Sequence, residues 1–338
     1  MSTVNDHDTA EEQPSQEGFH AEVNSGLEPI LVERLFTPLL RWVPESVAPN
    51  TISLIGTLVA WLTLGLTYLS TQLAPLGQGL ALAGAGVGVF LSMTADCLDG
   101  MQARRTGRTS KLGEFLDHWL DAVHVPMVSA GLGLALGLEP WQVVLILITT
   151  TLIYNAQLVL YHFSGRFVHP GTSGVDGQFF VSLGYLAAAL LLPTIGINPL
   201  VKTGMVLIAG AVQLRLNVFY YPRLGRHIVA HIPFVLLCVG YAVLYLLGAM
   251  DTLAFSLLVI IVSWRVTGTW VLRTITKRAY SGWDFSALLW LMLLTAAHFV
   301  PTVGRSLGAV LPCLAYVICA VLVAHNLGDL ARHYRELL

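Results

Sequence analysis

Residues 96–121 read DCLDGMQARRTGRTSKLGEFLDHWLD, and the stretches on either side of them decide the fold. Upstream, 76–96 is almost wholly apolar, and downstream 117–138 is apolar again. Each is close to the ~20 residues a helix needs to cross a bilayer. Further runs of that length stand at 51–70, 141–162, 179–197, 200–220, 228–249, 251–271, 284–301 and 306–325. The sequence therefore predicts an all-α, polytopic transmembrane helical bundle of about ten spans. Composition agrees: 55% of the 338 residues are apolar and 11% charged, where a soluble domain carries about 25% charged residues.

Before the first span, Pro29–Val43 (PILVERLFTPLLRWV) mixes apolar residues with Arg34 and Arg41 and ends near Trp42. That pattern predicts an amphipathic helix lying in the membrane interface. Residues 1–28 hold seven acids and no Lys or Arg, and are read as a disordered cytosolic tail. They lack the basic-then-apolar layout of a signal peptide. The expected division is thus tail (1–28), interfacial helix (29–47), membrane core (48–222) and additional spans (223–338).

Basic residues orient the bundle. With ten spans and a cytosolic N-terminus, fourteen Lys and Arg fall in cytosolic segments, while outside loops hold Lys202 and Arg305. Cytosolic loops carry this excess in membrane proteins. Arg215 and Arg265 fall within spans near their cytosolic ends, where snorkelling and contact with a lipid or donor phosphate are both open readings. Cys97, Cys238, Cys313 and Cys319 lie in apolar stretches without zinc or redox spacing, so they read as packed free thiols.

The acids of 96–121 carry the chemistry. Ionisable groups at membrane depth demand partners and mark function, and five crowd into this stretch: Asp96, Asp99, Glu114, Asp117 and Asp121. Spacings of three (Asp96, Asp99) and four (Asp117, Asp121) set each pair on one helix face. Two facing helices then present four hard oxygen donors to one point, which suits Mg²⁺ or Mn²⁺. Two such ions serve displacement at phosphorus. Arg104 and Arg105 can pair with phosphate oxygens, and Gly100 and Gly113 let a backbone approach a bulky ligand. His124, His162, His169, His298 and His325 read as packing or interfacial residues. Trp42, Trp119, Tyr154 and Tyr161 are candidates for a quaternary-ammonium cage, although interfacial anchoring explains aromatics there equally.

The pattern D-x2-D-G-x2-A-R-x8-G-x3-D-x3-D runs unbroken from Asp96 to Asp121, and it resembles the signature of the CDP-alcohol phosphotransferases. Gln102, Arg104-Arg105-Thr106, Leu112-Gly113-Glu114, Asp117-His118 and the upstream Ala48-Pro49-Asn50 with Ile52 and Gly56 resemble the choline/ethanolamine branch of that family. The likeness implies that Asp96, Asp99, Asp117 and Asp121 hold two metal ions, with Asp121 also in the catalytic set. It implies that Asn50 and Glu114 contact the cytidine donor and that Gly100, Ala103, Arg104 and Gly113 line it. His118 matches the general base, and Asp176 of Asp176-Gly177-Gln178 matches an acidic element near the site. Met101 and Trp119 depart from the branch, which has Lys and Gly there.

The implied reaction moves phosphocholine or phosphoethanolamine from a CDP-alcohol to diacylglycerol or a similar lipid hydroxyl, releasing CMP. The alternative keeps the metals but uses CDP-diacylglycerol as donor and a soluble alcohol such as inositol phosphate, serine or glycerol phosphate as acceptor. Membrane lipids are further partners, no nucleic acid is expected, and the resemblance implies a homodimer. It also places the site on the cytosolic face, of an inner membrane in a bacterium or of the endoplasmic reticulum or Golgi in a eukaryote. A transporter using the acids as an ion site is the reading from another class, but no second copy of the acidic cluster accompanies it.

Overall fold

The computed structural model describes residues 26–168, 171, 173–195, 198–299 and 310–337. The acidic tail expected over 1–28 lies almost wholly outside them. Every regular element among the described residues is helical.

A short helical segment, α1, is built from Glu28–Leu31, a wide turn Val32–Phe36, and Thr37–Leu40. Ten long helices follow: α2 (Pro49–Ser70), α3 (Pro75–Thr106), α4 (Lys111–Ala135), α5 (Pro140–Ser164), α6 (Gly174–Ile195), α7 (Pro199–Leu224), α8 (Ile228–Leu246), α9 (Thr252–Ile275), α10 (Phe285–Phe299) and α11 (Val310–Leu337). Each stands where one of the ten apolar runs predicted it. Proline opens α2, α3, α5 and α7, the position where its missing N–H costs nothing. Ser110 caps α4, its Oγ accepting from Gly113 N at 3.0 Å, and Asp251 caps α9 through Ala254 N at 2.7 Å.

Six stretches among the described residues are long and apolar enough to cross a membrane: Pro49–Ser70, Pro75–Thr106, Pro140–Ser164, Gly174–Pro193, Leu200–Leu246 and Thr252–Ile275. Leu200–Leu246 contains 47 residues, two crossings' worth, and turns through Gly225–His227 between α7 and α8. Helix α4 is not among the six, because His118, Asp121 and His124 interrupt its apolar run. Large apolar side chains stand exposed along α2 (Leu54, Leu58, Leu62, Leu69) and α7 (Leu200, Leu207, Leu214, Val218), a surface suited to lipid rather than water.

Two groupings organise the bundle. Helix α3 packs closely on both α2 and α6, while α9 packs against α4, α5 and α11. Helix α4 joins them, touching α2 on one side and α5 and α9 on the other. The contact with α9 is intimate: Trp119 stacks on Trp264 with ring centroids 4.6 Å apart, and a Cβ at Gly268 would lie 2.5 Å from the Trp119 ring. The 48–222 core and the later spans are therefore interleaved by packing.

Three expectations change. The polar stretch framed by Gly100 and Gly113 reads as a loop, yet α3 continues to Thr106 and α4 begins at Lys111. Good helix formers (Met101, Gln102, Ala103, Arg104, Arg105) carry α3 past the apolar run, and it stops where Gly107 turns left-handed at φ 64°. Arg105 does not face a phosphate site. Its guanidinium donates to Leu40 O at 2.8 Å and Val43 O at 2.7 Å, satisfying carbonyls at the C-terminal end of α1. Arg265 neither snorkels nor reaches for lipid: its Nε donates to Asp284 Oδ2 at 3.0 Å, with both side chains largely buried.

Beside α3, α1 buries Phe36 and Leu40 against Ile52, Met93 and Leu98. Cys97 and Cys238 are free thiols. The side chains of Cys313 and Cys319 lie outside the described residues.

Candidate metal and donor site

Helix α3 presents Asp96 and Asp99, and α4 presents Asp117 and Asp121 one turn apart. Oxygen atoms of Asp96, Asp99 and Asp117 all lie within 4.8 Å of one another. Oxygens sharing one ion at about 2.1–2.4 Å are separated by at most twice that radius, so the trio already has nearly the span of a coordination shell. Asp121 belongs to the same group: its charge acts on Asp96, and those of Asp99 and Asp117 act on it. Its Oδ1 is buried without a hydrogen-bond partner, an acceptor that native proteins rarely leave unsatisfied. Repulsion among four carboxylates at this depth requires positive charge between them. The donor set, carboxylate oxygen throughout, fits a hard divalent cation. The Asp cluster can hold a metal.

The cavity between the helices is lined by Ser53, Gly56, Ser92, Asp96, Asp99, Asp117, Leu120 and His124. Ser53, one turn into α2, donates its hydroxyl to Asp99 Oδ2. Ser92 donates to Gly56 O at 3.0 Å and ties α2 to α3. Gly56 admits this approach because a Cβ there would meet Ala95 Cβ at 2.8 Å.

Most of the expected donor-binding residues gather around the ends of α3 and α4 that the turn 107–110 joins. Asn50 opens α2, and its Oδ1 lies 3.5 Å from where a Cβ on Gly113 would stand, so the starts of α2 and α4 meet. Arg104 folds back over Gly100, its guanidinium 3.4 Å from the space a Cβ there would fill, and brings positive charge to Asp99 and Asp117. Ala103 lies one residue before it on the same helix. Glu114 accepts a hydrogen bond from the Tyr161 hydroxyl of α5. Gln102 turns the other way, donating to Pro44 O at 3.0 Å and Val47 O at 2.9 Å.

His118 is 4% exposed and stacks on Phe167 at 4.7 Å between centroids, with Tyr161 edge-on at 5.6 Å. Its Nδ1 stands 3.7 Å from Asp117 Oδ2, too far for a hydrogen bond and close enough for charge coupling. Tyr154 of α5 donates to the His118 carbonyl at 2.8 Å and so fixes the backbone between the two α4 acids. Asp176 sits in the first turn of α6, exchanging hydrogen bonds with Ser173. Its neighbour Val175 joins the apolar cluster containing Leu98, and its Oδ1 is buried without a partner.

Sequence reasoning missed Ser53 and His124. Ser53 follows Asn50 by one turn, a hydroxyl in an apolar run with no local sign that Asp99 lies opposite. His124 had a signal: Asp117, Asp121 and His124 follow the i, i+4, i+7 spacing of one helix face.

A family model described as CDP-alcohol phosphatidyltransferase matches residues 46–214, half of the chain. Among curated proteins, cholinephosphotransferase 1 of Bos taurus is 38% identical over 121 residues, covering 34% of this chain and 29% of that protein. The Homo sapiens cholinephosphotransferase 1 is 36% identical over 113 residues, covering 32% of this chain and 27% of that protein. A CDP-diacylglycerol–serine O-phosphatidyltransferase of Encephalitozoon cuniculi is 34% identical over 157 residues, covering 45% and 40%. The chain thus spans less than half the length of each of these relatives.

Proposed function

From the premise that this chain belongs to the CDP-alcohol phosphatidyltransferase family, in its choline/ethanolamine phosphotransferase branch, we propose that it is a membrane phosphotransferase. It moves phosphocholine or phosphoethanolamine from the CDP-alcohol to the hydroxyl of diacylglycerol or a similar lipid. The observation that carries the proposal is the convergence of Asp96, Asp99 and Asp117 within 4.8 Å inside the unbroken eight-position signature.

Asp96, Asp99, Asp117 and Asp121 would hold Mg²⁺ or Mn²⁺, two ions in all. Bound there, the ions would neutralise pyrophosphate oxygens and the charge gathering on the departing nucleotide. Ser53 holds the Asp99 carboxylate in place. Asn50 and Glu114, the latter fixed by Tyr161, bind the cytidine side of the donor. Gly100, Ala103 and Gly113 leave room for it, and Arg104 pairs with phosphate oxygen. His118 Nε2 accepts the proton of the attacking hydroxyl. The acceptor oxygen forms a bond to the phosphorus that carries the alcohol, the bond from that phosphorus to the bridging oxygen breaks, and CMP departs with the electron pair. Asp176 is proposed among the donor-binding residues near the site.

Ten spans with a cytosolic N-terminus put this site at the cytosolic face, where CDP-alcohols are found and where a lipid acceptor enters from the bilayer. Residues 48–222 form the catalytic core, 29–47 an interfacial segment and 223–338 the remaining spans. A homodimer is the assembly the family likeness implies. The similarity to the Encephalitozoon cuniculi enzyme favours a second reading, with CDP-diacylglycerol as donor and a soluble alcohol as acceptor.

Purified protein is given Mg²⁺ or Mn²⁺, diacylglycerol and a panel of CDP-alcohols, and lipid product and CMP are measured. Product from CDP-choline or CDP-ethanolamine supports the first reading. Product only from CDP-diacylglycerol with a soluble alcohol supports the second. Metal-dependent CMP release under neither condition overturns both.

A further inference from the structure

The acidic cavity contains one group that carboxylate chemistry does not explain. His124 lines it together with Asp96, Asp99 and Asp117, is 4% exposed, and has a buried Nε2 without a hydrogen-bond partner. A buried polar atom left unpaired is costly, and native proteins rarely leave one without a partner or ligand. The residue lies three positions beyond Asp121 and seven beyond Asp117, on the same face of α4 and farther from the cytosolic end of that helix. Neutral packing would be served by an aliphatic side chain at lower cost.

We propose that His124 is a nitrogen ligand at the inner end of the acidic cavity, and that it biases this chain's metal site towards Mn²⁺ over Mg²⁺. The inference rests on the metal-site reading above and extends it to a residue outside the eight-position signature. Its chemistry follows from ligand type. Carboxylate and water oxygens alone suit Mg²⁺, whereas imidazole nitrogen is a better donor to first-row transition ions. Asp96, Asp99 and Asp117 line the same cavity as His124, so one nitrogen would join an oxygen-rich shell.

The test uses the full chain in lipid nanodiscs, stripped of metal by chelation and titrated with Mn²⁺. Electron paramagnetic resonance counts the bound ion, and electron spin-echo modulation reports any nitrogen bonded to it. The expected result is strong ¹⁴N coupling of a coordinated imidazole, converted to ¹⁵N coupling when the protein carries ¹⁵N-histidine. It is lost in His124→Leu and kept in His118→Gln. The preference for Mn²⁺ over Mg²⁺ in competition should fall about tenfold in His124→Leu, within the range of such ligand-environment changes. Labelled wild-type protein gives the answer even if the variant fails to fold. Bound Mn²⁺ with no histidine coupling overturns the role of His124 and leaves the metal site standing. No bound Mn²⁺ overturns the metal site and this inference together.

Discussion

Ser53 makes the single side-chain hydrogen bond from α2 to a cluster acid recorded among the described residues. A partner of this kind orients a ligating carboxylate, and its loss costs about 10–100-fold in metal affinity. Ser53→Ala is therefore expected to weaken Mn²⁺ binding by about that factor without changing the fold, and Ser53→Thr to restore it. Unchanged Mn²⁺ affinity in the alanine variant would remove Ser53 from the site. His118→Ala should behave in the opposite way. It should lower turnover by about 10²–10⁴, the usual worth of a positioned base, while Mn²⁺ affinity stays close to that of the parent. A loss of metal binding in step with turnover would make His118 a structural prop for Asp117. The four aspartates were legible in the sequence because ionisable residues in apolar runs are costly and rare. Ser53 was not, because a small polar group on an apolar helix reads as packing until its opposite helix is known, and His124 was marked only by its spacing from Asp117 and Asp121. Arg105 was misread for a related reason: its partners, the carbonyls of Leu40 and Val43, are backbone atoms that no side-chain pattern announces.

At the scale of elements, hydropathy located the ten helices but misjudged the ends of α3 and α4. The acids and the strand of polar residues after them belong to helix, so the loop joining the two is only 107–110. This brevity matters chemically, since it keeps Asp96–Asp99 and Asp117–Asp121 facing each other without a flexible connection. The same C-terminal turns of α3 also hold the chain that precedes α2. Gln102 is fully buried and donates to Pro44 O and Val47 O, while Arg105 secures the end of α1. Gln102→Leu would leave both carbonyls short of a donor, a penalty of about 1–3 kcal/mol for a buried group. Hydrogen exchange of residues 41–48 should accelerate accordingly, with α4 and α9 unaffected. Exchange unchanged across that segment would mean that the apolar contacts of Phe36 and Leu40 suffice to hold it.

For the whole molecule, positive-inside counting and helix positions lead to one arrangement, which side-specific labelling can check. In a background lacking the native cysteines, Arg108→Cys and Glu139→Cys flank α4 and should react with an impermeant thiol reagent from opposite faces of sealed vesicles. Labelling from the same face would break the ten-span order. The later spans pack against α4 and α5, and one of those contacts hydropathy could not reveal. Trp119, where the branch it resembles has Gly, fills the space between α4 and α9, stacking on Phe115 and Trp264. Gly268 is the notch that receives it. A larger side chain at 268 must push the indole or the helix aside, and overpacking of this kind costs about 1–3 kcal/mol. Gly268→Leu is therefore expected to lower thermal stability measurably and to shift α4, reducing activity although residue 268 is not part of the cavity. Trp119→Gly alone should leave a void and also destabilise. If the two side chains share one space, the double variant should be more stable than the sum of the two losses predicts, because each change relieves the other. Strict additivity would show that α9 and α4 are held together elsewhere, and that Trp119 is not what couples the later spans to the acids.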